Sequence, residues 1–455
     1  MAFRLWVKTV VGLDIHIFHT LLLRSWSVLA GGVSILLIPI FLSPTAQGFY
    51  YTFVSVLALQ VFFELGLNQV TIQLVSNEAA HLTIHEDGTA SGGEGRVQRI
   101  RGLVELLRRW YGFAAALFFA LAGITGWLFF RSRGEGLPTE EWTPIWFTLV
   151  LFTSVNLLLS PLLAVIEGTG KVSAVAQLRL RQSMAGYGLM WSLLLLDSGL
   201  WAAIAAPAVS AITTPLWLRR RGGLLKQQAE GQATKLKPIS WRQDVFPLQW
   251  RIAVSWACGY IIFSLFTPIV FATHGAIEAG RLGMAMTVFS AITTLGLSWI
   301  NAKAPNLTMH ISRGEPEALQ RLFKATALRS VIAAALPSFT IVALVALGNH
   351  YDMTMMKRIA AVDILFWIAL ATTVNVGVNA AAVFMRAHLE EPMLPVSALS
   401  ALLTLSFIAL LKDNVSHMML GYAAISSCIS LPWTFLLLRR YLAFNHLQPR
   451  PNAQN

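Results

Sequence analysis

The chain has 455 residues, of which 56% are hydrophobic and only 12% are charged. Soluble domains carry about 25% charged residues, so this composition excludes a soluble single-core protein of this length. At about 20 apolar residues for each membrane-spanning helix, the chain is long enough for roughly a dozen spans. The two cysteines, Cys258 and Cys428, provide neither a disulfide framework nor a four-cysteine metal site.

Long apolar runs recur along the chain and predict an all-α polytopic membrane protein. Only helices and closed barrels satisfy their backbone polar groups in lipid, and these runs are too long and too uniformly apolar for barrel strands. The first residues lack a small-residue cleavage site, so we expect a short amphipathic stretch on the inner membrane surface. In chain order, the predicted spans are 20–42, 49–75, 110–130, 143–166, 172–196, 198–218, 247–272, 281–304, 326–348, 363–386, 392–411 and 416–438.

The basic residues are concentrated in alternate connections between these spans. Of the 34 Lys and Arg, 26 fall in segments that are inside if the N-terminus is inside or in the inner half of the adjoining spans, and six fall in or directly beside the outer loops. Arg24 and Arg251 are counted separately. This positive-inside pattern accounts for the formal net charge of +12 and predicts that both termini are cytoplasmic. The positive charge therefore gives no reason to expect nucleic acid as a partner.

The two halves of the chain repeat a series of residues in the same order. Six spans is an even number, so both copies have the same orientation and are related by an axis along the membrane normal. We expect residues 1–221 to form an N-terminal six-helix bundle, 222–246 a cytoplasmic linker and 247–455 a C-terminal six-helix bundle, with a central cavity between the bundles. The matched positions are Arg24 with Arg251, Gly32 with Gly259, 65–67 with 295–297, and 153–156 with 372–375.

Three stretches of the chain resemble a known family. Residues 38–78 contain a short outer turn with Gly48 and then a span that closes on an acidic-Leu-Gly-Leu motif at 64–67, and residues 247–271 and 279–305 open the second half. These stretches resemble polysaccharide-export transporters and O-antigen flippase-like proteins of the multidrug/oligosaccharidyl-lipid/polysaccharide flippase superfamily. The resemblance covers most of the chain in topology, but only these stretches in motif.

The resemblance implies a flippase rather than an enzyme. Its substrate class would be an undecaprenyl-pyrophosphate-linked oligosaccharide, such as a lipopolysaccharide O-antigen unit, moved by alternating access across the bacterial inner membrane. The implied partners are membrane lipid and other membrane proteins of polysaccharide assembly. No cofactor and no metal are implied, and the sugar is not identified.

Other classes of function stay open. A cation-coupled multidrug antiporter of the same superfamily usually needs buried carboxylates, whereas the charge within these spans is mainly arginine. A membrane enzyme of polysaccharide assembly, such as a polymerase or an acyltransferase, needs converging acids, bases or a metal at one surface. The short outer loops and the lack of a His/Asp cluster argue against such an enzyme. A structural membrane partner without transport is the remaining class.

Arg24 and Arg251 each lie about one turn from the cytoplasmic edge of a span, at matched positions in the repeat. The simpler interpretation is that each side chain snorkels to the lipid headgroups. The functional interpretation is a basic rim of an inward-open cavity that binds the pyrophosphate of a lipid carrier, because arginine presents a planar fork of donors to such groups.

Arg179 and Arg181 lie further into span 5. Two residues on a helix are separated by about 200° of rotation, so the two side chains cannot face the same cavity. We expect one of them to face the cavity or form an ion pair and the other to reach toward headgroups. The sequence does not distinguish which is which.

Glu64 is the only carboxylate deep within a predicted span. Counted at about 1.5 Å per residue, its depth in span 2 is similar to that of Arg24 in span 1, so a Glu64–Arg24 ion pair is sterically reasonable. Such a pair would lock the two spans together. The alternative is that Glu64 carries protons that drive transport.

Polar residues form one stripe on span 4 and another on span 10. Their spacing of i, i+3 and i+7 places each set on one helix face. Such residues can link neighbouring helices by hydrogen bonds, or they can form a sugar-facing wall of a cavity. The stripes are Thr153, Asn156 and Ser160 on span 4, and Thr372, Asn375 and Asn379 on span 10.

Overall fold

The computed structural model describes residues 15–85, 89–92, 95–221, 223–226, 239–388 and 392–444. The described chain is helical apart from turns and a two-stranded antiparallel hairpin, β1 (Thr83–Ile84) with β2 (Ala90–Ser91), in which Thr83 lies opposite Ser91. The predicted amphipathic stretch before residue 15 and most of the predicted linker lie outside the described residues.

The first half of the chain contains nine described helices. A short 3-10 segment, Ala58–Gln60, joins the second helix to the third, and another, Gly199–Ile204, precedes the eighth. The helices are α1 (Ile15–Phe41), α2 (Pro44–Leu57), α3 (Val61–Glu64), α4 (Leu67–Ala79), α5 (Arg96–Arg133), α6 (Thr139–Gly168), α7 (Val172–Leu195), α8 (Ala205–Arg221) and α9 (Gly223–Lys226).

The second half contains seven described helices. Single π-helical turns precede the first of them, at Trp241–Val245, and interrupt the last span, at Ser426–Ser430. The helices are α10 (Phe246–Phe263), α11 (Phe266–Arg313), α12 (Pro316–His350), α13 (Val362–Arg386), α14 (Leu394–Leu411), α15 (Val415–Ile425) and α16 (Leu431–Phe444).

These helices supply the twelve predicted spans. Nine described segments are long and apolar enough to cross a membrane, and one of them, Ile252–Arg313, has 62 residues. At 1.5 Å per residue it would extend about 93 Å, three times the hydrocarbon thickness of roughly 30 Å. It turns instead at Gly275, where φ is 83° and ψ is 177°, and this turn separates spans 7 and 8. With α1 and α7 the count reaches twelve, which confirms the all-α polytopic prediction.

The chain divides into two compact units, Met1–Ala257 and Cys258–Asn455, so that residues 246–257 of α10 belong to the first unit. The fourth span of each half nevertheless packs in the same way. In the first unit α6, which is span 4, packs against α4, α5 and α8. In the second unit α13, which is span 10, packs against α11, α12 and α15. Spans 4 and 10 therefore each contact the second, third and sixth spans of their own half, as a parallel repeat requires.

Aromatic rings fill the core of the first unit. Phe53 packs edge-on against Phe130 with ring centroids 4.8 Å apart, and Trp146 lies 5.1 Å from the same Phe130 ring. The Trp146 indole N–H donates to the carbonyl of Gly123 at 3.2 Å. This donation satisfies the one polar atom of the buried indole, so spans 2, 3 and 4 can pack tightly around it.

The sequence predicts span 2 as one continuous helix, 49–75. In the structure the helix is interrupted between α3 and α4. Leu65 and Gly66 both adopt left-handed backbone conformations, with φ of 49° and 69°. The left-handed conformation costs an L-residue such as leucine about 1–2 kcal/mol. The matched Leu-Gly-Leu of span 8 lies in continuous helix, where Gly296 instead allows close packing against Ala334. The motif alone therefore does not cause the break.

Replacing Gly66 with Ala tests the contact that accompanies this break. The added Cβ would lie 2.3 Å from Cγ2 of Ile252 on α10, an overpacking that costs about 1–3 kcal/mol, in addition to the left-handed strain. We expect Gly66→Ala to lower the unfolding temperature in detergent. The double variant Gly66→Ala/Ile252→Ala should recover part of the loss, because the overlap is removed while the strain remains.

The matched control for this measurement is Gly112→Ala on α5, where an added Cβ meets no atom within 4 Å. This variant should unfold at the wild-type temperature or slightly above it, since alanine favours helix. An unfolding temperature for Gly66→Ala equal to that of the control would contradict the observed contact with Ile252.

Candidate functional site

Glu64 is the last residue of α3 and begins a chain of polar contacts across three spans. The Asn68 amide Nδ2 donates to Glu64 Oε2 at 3.3 Å, across the break in span 2. The hydroxyl of the buried Tyr111, on α5, donates to Asn68 Oδ1 at 3.1 Å. Ser160, on α6, also lies within interaction range of Tyr111. The break thus places a carboxylate within a network that Asn68 and Tyr111 hold in position.

The charged partner of Glu64 stays a prediction. Among the described side chains, none forms an ion pair with it. The backbone of Arg24 belongs to α1 and that of Arg251 to α10, but both side chains lie outside the described residues, so the expected Glu64–Arg24 pair and the basic rim are not tested. Arg251 directly precedes Ile252, whose side chain packs against Gly66, so the backbone of Arg251 runs close to the break.

Arg179 is the arginine of span 5 that forms an ion pair. Its guanidinium Nη2 lies 2.8 Å from Oε1 of Glu167, near the end of α6. Arg181 is also exposed and forms no ion pair with a described residue. Glu167 was not among the residues predicted from the sequence, although the short turn between spans 4 and 5 brings residues on its two sides together.

The central asparagine of each polar stripe links two helices. Asn156 Nδ2 donates to the backbone carbonyl of Pro207, on α8, at 2.9 Å. Asn375 Nδ2 donates to the Tyr422 hydroxyl, on α15, at 2.8 Å. The first bond joins spans 4 and 6 and the second joins spans 10 and 12, so the matched asparagines have the same architectural role in both halves.

The rest of the stripe also bonds within the protein. Asn379 Nδ2 donates to the carbonyl of Asn375 at 2.8 Å, and the Ser160 hydroxyl donates to the carbonyl of Leu157 at 3.0 Å. Thr153 and Thr372 are buried. In this conformation the three asparagines and Ser160 therefore form hydrogen bonds within or between helices.

Glu78, a buried carboxylate at the end of span 2, was not predicted from the sequence. Glu78 lies 3.1 Å from Nη1 of Arg96 and 2.7 Å from Nη1 of Arg99, and only 8% of its side chain is exposed. Nearby, the Ser76 hydroxyl donates to the carbonyl of Gly168 at 3.1 Å. These contacts tie the ends of spans 2, 3 and 4 together at the side predicted to face the cytoplasm.

No family model matches this chain. No curated protein matches it either.

Solved structures, by contrast, match the chain over nearly its whole length. The inward-facing form of a multidrug resistance MATE family transporter of the MOP superfamily covers 97% of this chain and 98% of its own, at 14% identity and a TM-score of 0.57. The lipid II flippase MurJ, in an inward closed conformation, covers 95% of this chain and 90% of its own, at 11% identity and a TM-score of 0.65. The MATE multidrug transporter DinF-BH covers 95% of each chain, at 12% identity and a TM-score of 0.56.

Likeness at these identities establishes the fold. The chain is a multi-pass membrane protein, and its fold is the twelve-helix fold of these transporters. The substrate does not follow from the fold, because the matched structures include both multidrug transporters and a lipid flippase.

Single and double amide variants distinguish a structural Glu64 from one that carries protons. If Glu64 pairs with Arg24, then Glu64→Gln and Arg24→Gln each leave an uncompensated charge, at a cost of about 3–5 kcal/mol. The double variant should then recover the folded fraction measured by size-exclusion chromatography and thermal unfolding. Glu105→Gln removes an exposed carboxylate on α5 and should behave as wild type.

A proton-carrying Glu64 gives a different pattern. Glu64→Gln would then fold normally and lose transport, and adding Arg24→Gln would not restore it. The ion pair is contradicted if each single variant is as stable as the control.

Proposed function

We propose that this protein is a flippase that moves oligosaccharides linked to a polyprenyl-pyrophosphate carrier across the bacterial inner membrane, such as O-antigen or other polysaccharide repeat units. The observation that carries the proposal is the combination of a MOP-superfamily fold with intramembrane charge that is mainly arginine. The likeness to the lipid II flippase MurJ supports a lipid-linked substrate, and the resemblance at 38–78, 247–271 and 279–305 supports a saccharide.

The arginines provide the chemistry for the carrier's head group. Pyrophosphate is a dense anion with oxygen acceptors that the planar guanidinium can bind in pairs. Arg24 and Arg251 occupy matched positions in the two halves, so each half would contribute one such group at a similar depth. Arg181 is a further candidate, because Arg179 is already engaged by Glu167.

The proposed cycle is alternating access. The two bundles, which we place at 1–221 and 247–455 with 222–246 as the linker, would expose the basic groups first to the cytoplasm and then to the outside. The saccharide head would travel through the protein while the polyprenyl tail stays in lipid. Both termini would remain cytoplasmic, as the distribution of basic residues predicts.

A cation-coupled multidrug antiporter is the second candidate, and the likeness to MATE transporters favours it. Such an antiporter usually needs several buried carboxylates, and Glu64 is the only carboxylate deep within a predicted span. An enzyme of polysaccharide assembly has less support, because the matched structures are transporters and flippases, and the described residues contain no cluster of metal-ligating side chains.

Reconstitution tests the proposal directly. Purified protein in proteoliposomes should move a fluorescent undecaprenyl-pyrophosphate-linked oligosaccharide between leaflets. Arg24→Ala or Arg251→Ala should raise the KM for this substrate about tenfold or more, since a hydrogen bond to a charged group contributes about 1.5–3 kcal/mol. Lysine should restore less than half of the loss if the planar fork matters.

The control is Arg109→Ala, which replaces an exposed arginine on α5 and should not change the KM.

Two results would contradict the proposed function. Wild-type KM in the double variant Arg24→Ala/Arg251→Ala would show that both side chains only snorkel to headgroups. Export of a cationic dye without any movement of the lipid-linked oligosaccharide would favour the multidrug antiporter.

A further inference from the structure

A cluster of aromatic side chains lies between spans 1, 2 and 5 in the first unit. The ring centroids of Trp26 and Trp191 are 6.3 Å apart, and those of Tyr187 and Trp191 are 6.0 Å apart. Tyr50, on α2, reaches the same side of α7, where its hydroxyl donates to Met190 Sδ at 3.5 Å. Trp26, Tyr187 and Trp191, which we call the aromatic platform, are all half-buried.

The aromatic platform lies near mid-depth of span 1. The Trp191 indole N–H donates to the Ser34 hydroxyl at 2.9 Å, and a Cβ added at Gly31 would lie 3.8 Å from the Tyr187 hydroxyl. Gly31 is the central residue of the span predicted at 20–42. Tryptophan and tyrosine that only anchor a protein in the membrane lie at its two interfaces. Tyr187 lies three residues from the middle of span 5, predicted at 172–196, so anchoring does not explain Tyr187.

One polar atom of the aromatic platform has no hydrogen-bond partner among the described residues. This atom is the indole nitrogen of Trp26, which is buried. The hydroxyl of Tyr187 lies beside Gly31, near the depth where transporters of repeat architecture bind their substrates.

We propose that the aromatic platform is a saccharide-binding site, in which sugar rings pack on the faces of Trp26 and Trp191 and a sugar hydroxyl bonds to the hydroxyl of Tyr187. This inference rests on the proposed flippase function and assigns the part of the site that holds the sugar. The C–H groups of a sugar ring carry partial positive charge and match the negative face of an indole. A tyrosine or tryptophan offers an apolar body together with a polar tip, which suits a ligand of alternating C–H and O–H groups.

The proposed substrate site would then have two parts that differ in chemistry. The proposed basic rim binds pyrophosphate through charge, and the aromatic platform binds the saccharide without charge. A cationic ligand could also stack on the indoles, but no carboxylate is found among the described contacts of Trp26, Tyr187 and Trp191 to offset its charge. We therefore assign the platform to the neutral part of the substrate.

Binding to two carriers in detergent tests the assignment. Intrinsic tryptophan fluorescence is titrated with undecaprenyl-pyrophosphate-linked oligosaccharide extracted from the source bacterium, and separately with undecaprenyl pyrophosphate alone. Trp26→Leu and Tyr187→Phe should each raise the Kd for the saccharide-bearing carrier about three- to tenfold and leave that for the bare carrier unchanged. Trp299→Leu, an exposed tryptophan of the second unit, is the matched control and should change neither value.

Several outcomes would overturn the assignment. Equal effects on both carriers would show a general structural role for the rings, and no effect on either would remove the platform from the site. A change confined to the binding of rhodamine 6G would assign it to cationic aromatic compounds. If Trp26→Leu fails to fold, Tyr187→Phe decides alone, because it removes one hydroxyl and leaves the ring in place.

The same measurements distinguish a failure of the proposed flippase function from a failure of the saccharide-binding platform. Wild-type protein that binds the saccharide-bearing carrier more tightly than the bare carrier, with the expected loss in Tyr187→Phe, but does not move it in proteoliposomes would support the platform and contradict the flippase. Wild-type protein that binds the two carriers equally would contradict the platform and leave the flippase to be judged by transport.

Discussion

The fold depends on hydrogen bonds that polar side chains make between helices inside the membrane, where water is not available as a partner. Asn156 and Asn375 show this most clearly. Each lies on the fourth span of its half, which packs against the second, third and sixth spans, and each bonds to the sixth span of that half. Bonds of this kind contribute about 0.6 kcal/mol on average within a bilayer, so their value lies in fixing which helix faces meet.

The halves share their packing and differ where function would reside. Span 2 breaks at Leu65 and Gly66, next to the only deep carboxylate, whereas the same Leu-Gly-Leu in span 8 is continuous helix. Strained backbone that the fold does not require is often found at functional sites. The aromatic platform likewise belongs to the first half, in which Trp191 bonds to Ser34. The two halves thus share their packing and the proposed rim arginines, whereas the break in span 2 and the aromatic platform belong to the first half.

Much of the fold follows from the sequence, because the length and apolar character of a span are set by consecutive residues. Even the turn between spans 7 and 8 could be placed, since the chain needs one and Gly275 supplies a backbone that other residues rarely adopt. The break in span 2 could not be predicted from its Leu-Gly-Leu motif, because the same motif is continuous helix in span 8 and only the break is accompanied by a contact with a residue far along the chain, Ile252. The partners of the stripe asparagines also lie far along the chain, so the stripes were identified without them. Glu167 and Glu78 lie just outside the predicted spans and were not considered, although their partners are close in sequence.

The central claim is that this protein moves a lipid-linked saccharide across the inner membrane, and the most direct measurement is the distribution of that intermediate between leaflets in cells. After deletion of the gene, the account predicts that polyprenyl-pyrophosphate-linked oligosaccharides accumulate on the cytoplasmic leaflet and are depleted from the outer one. A wild-type copy should restore the distribution. An unchanged distribution in the deletion strain, or accumulation on the outer leaflet, would contradict the account.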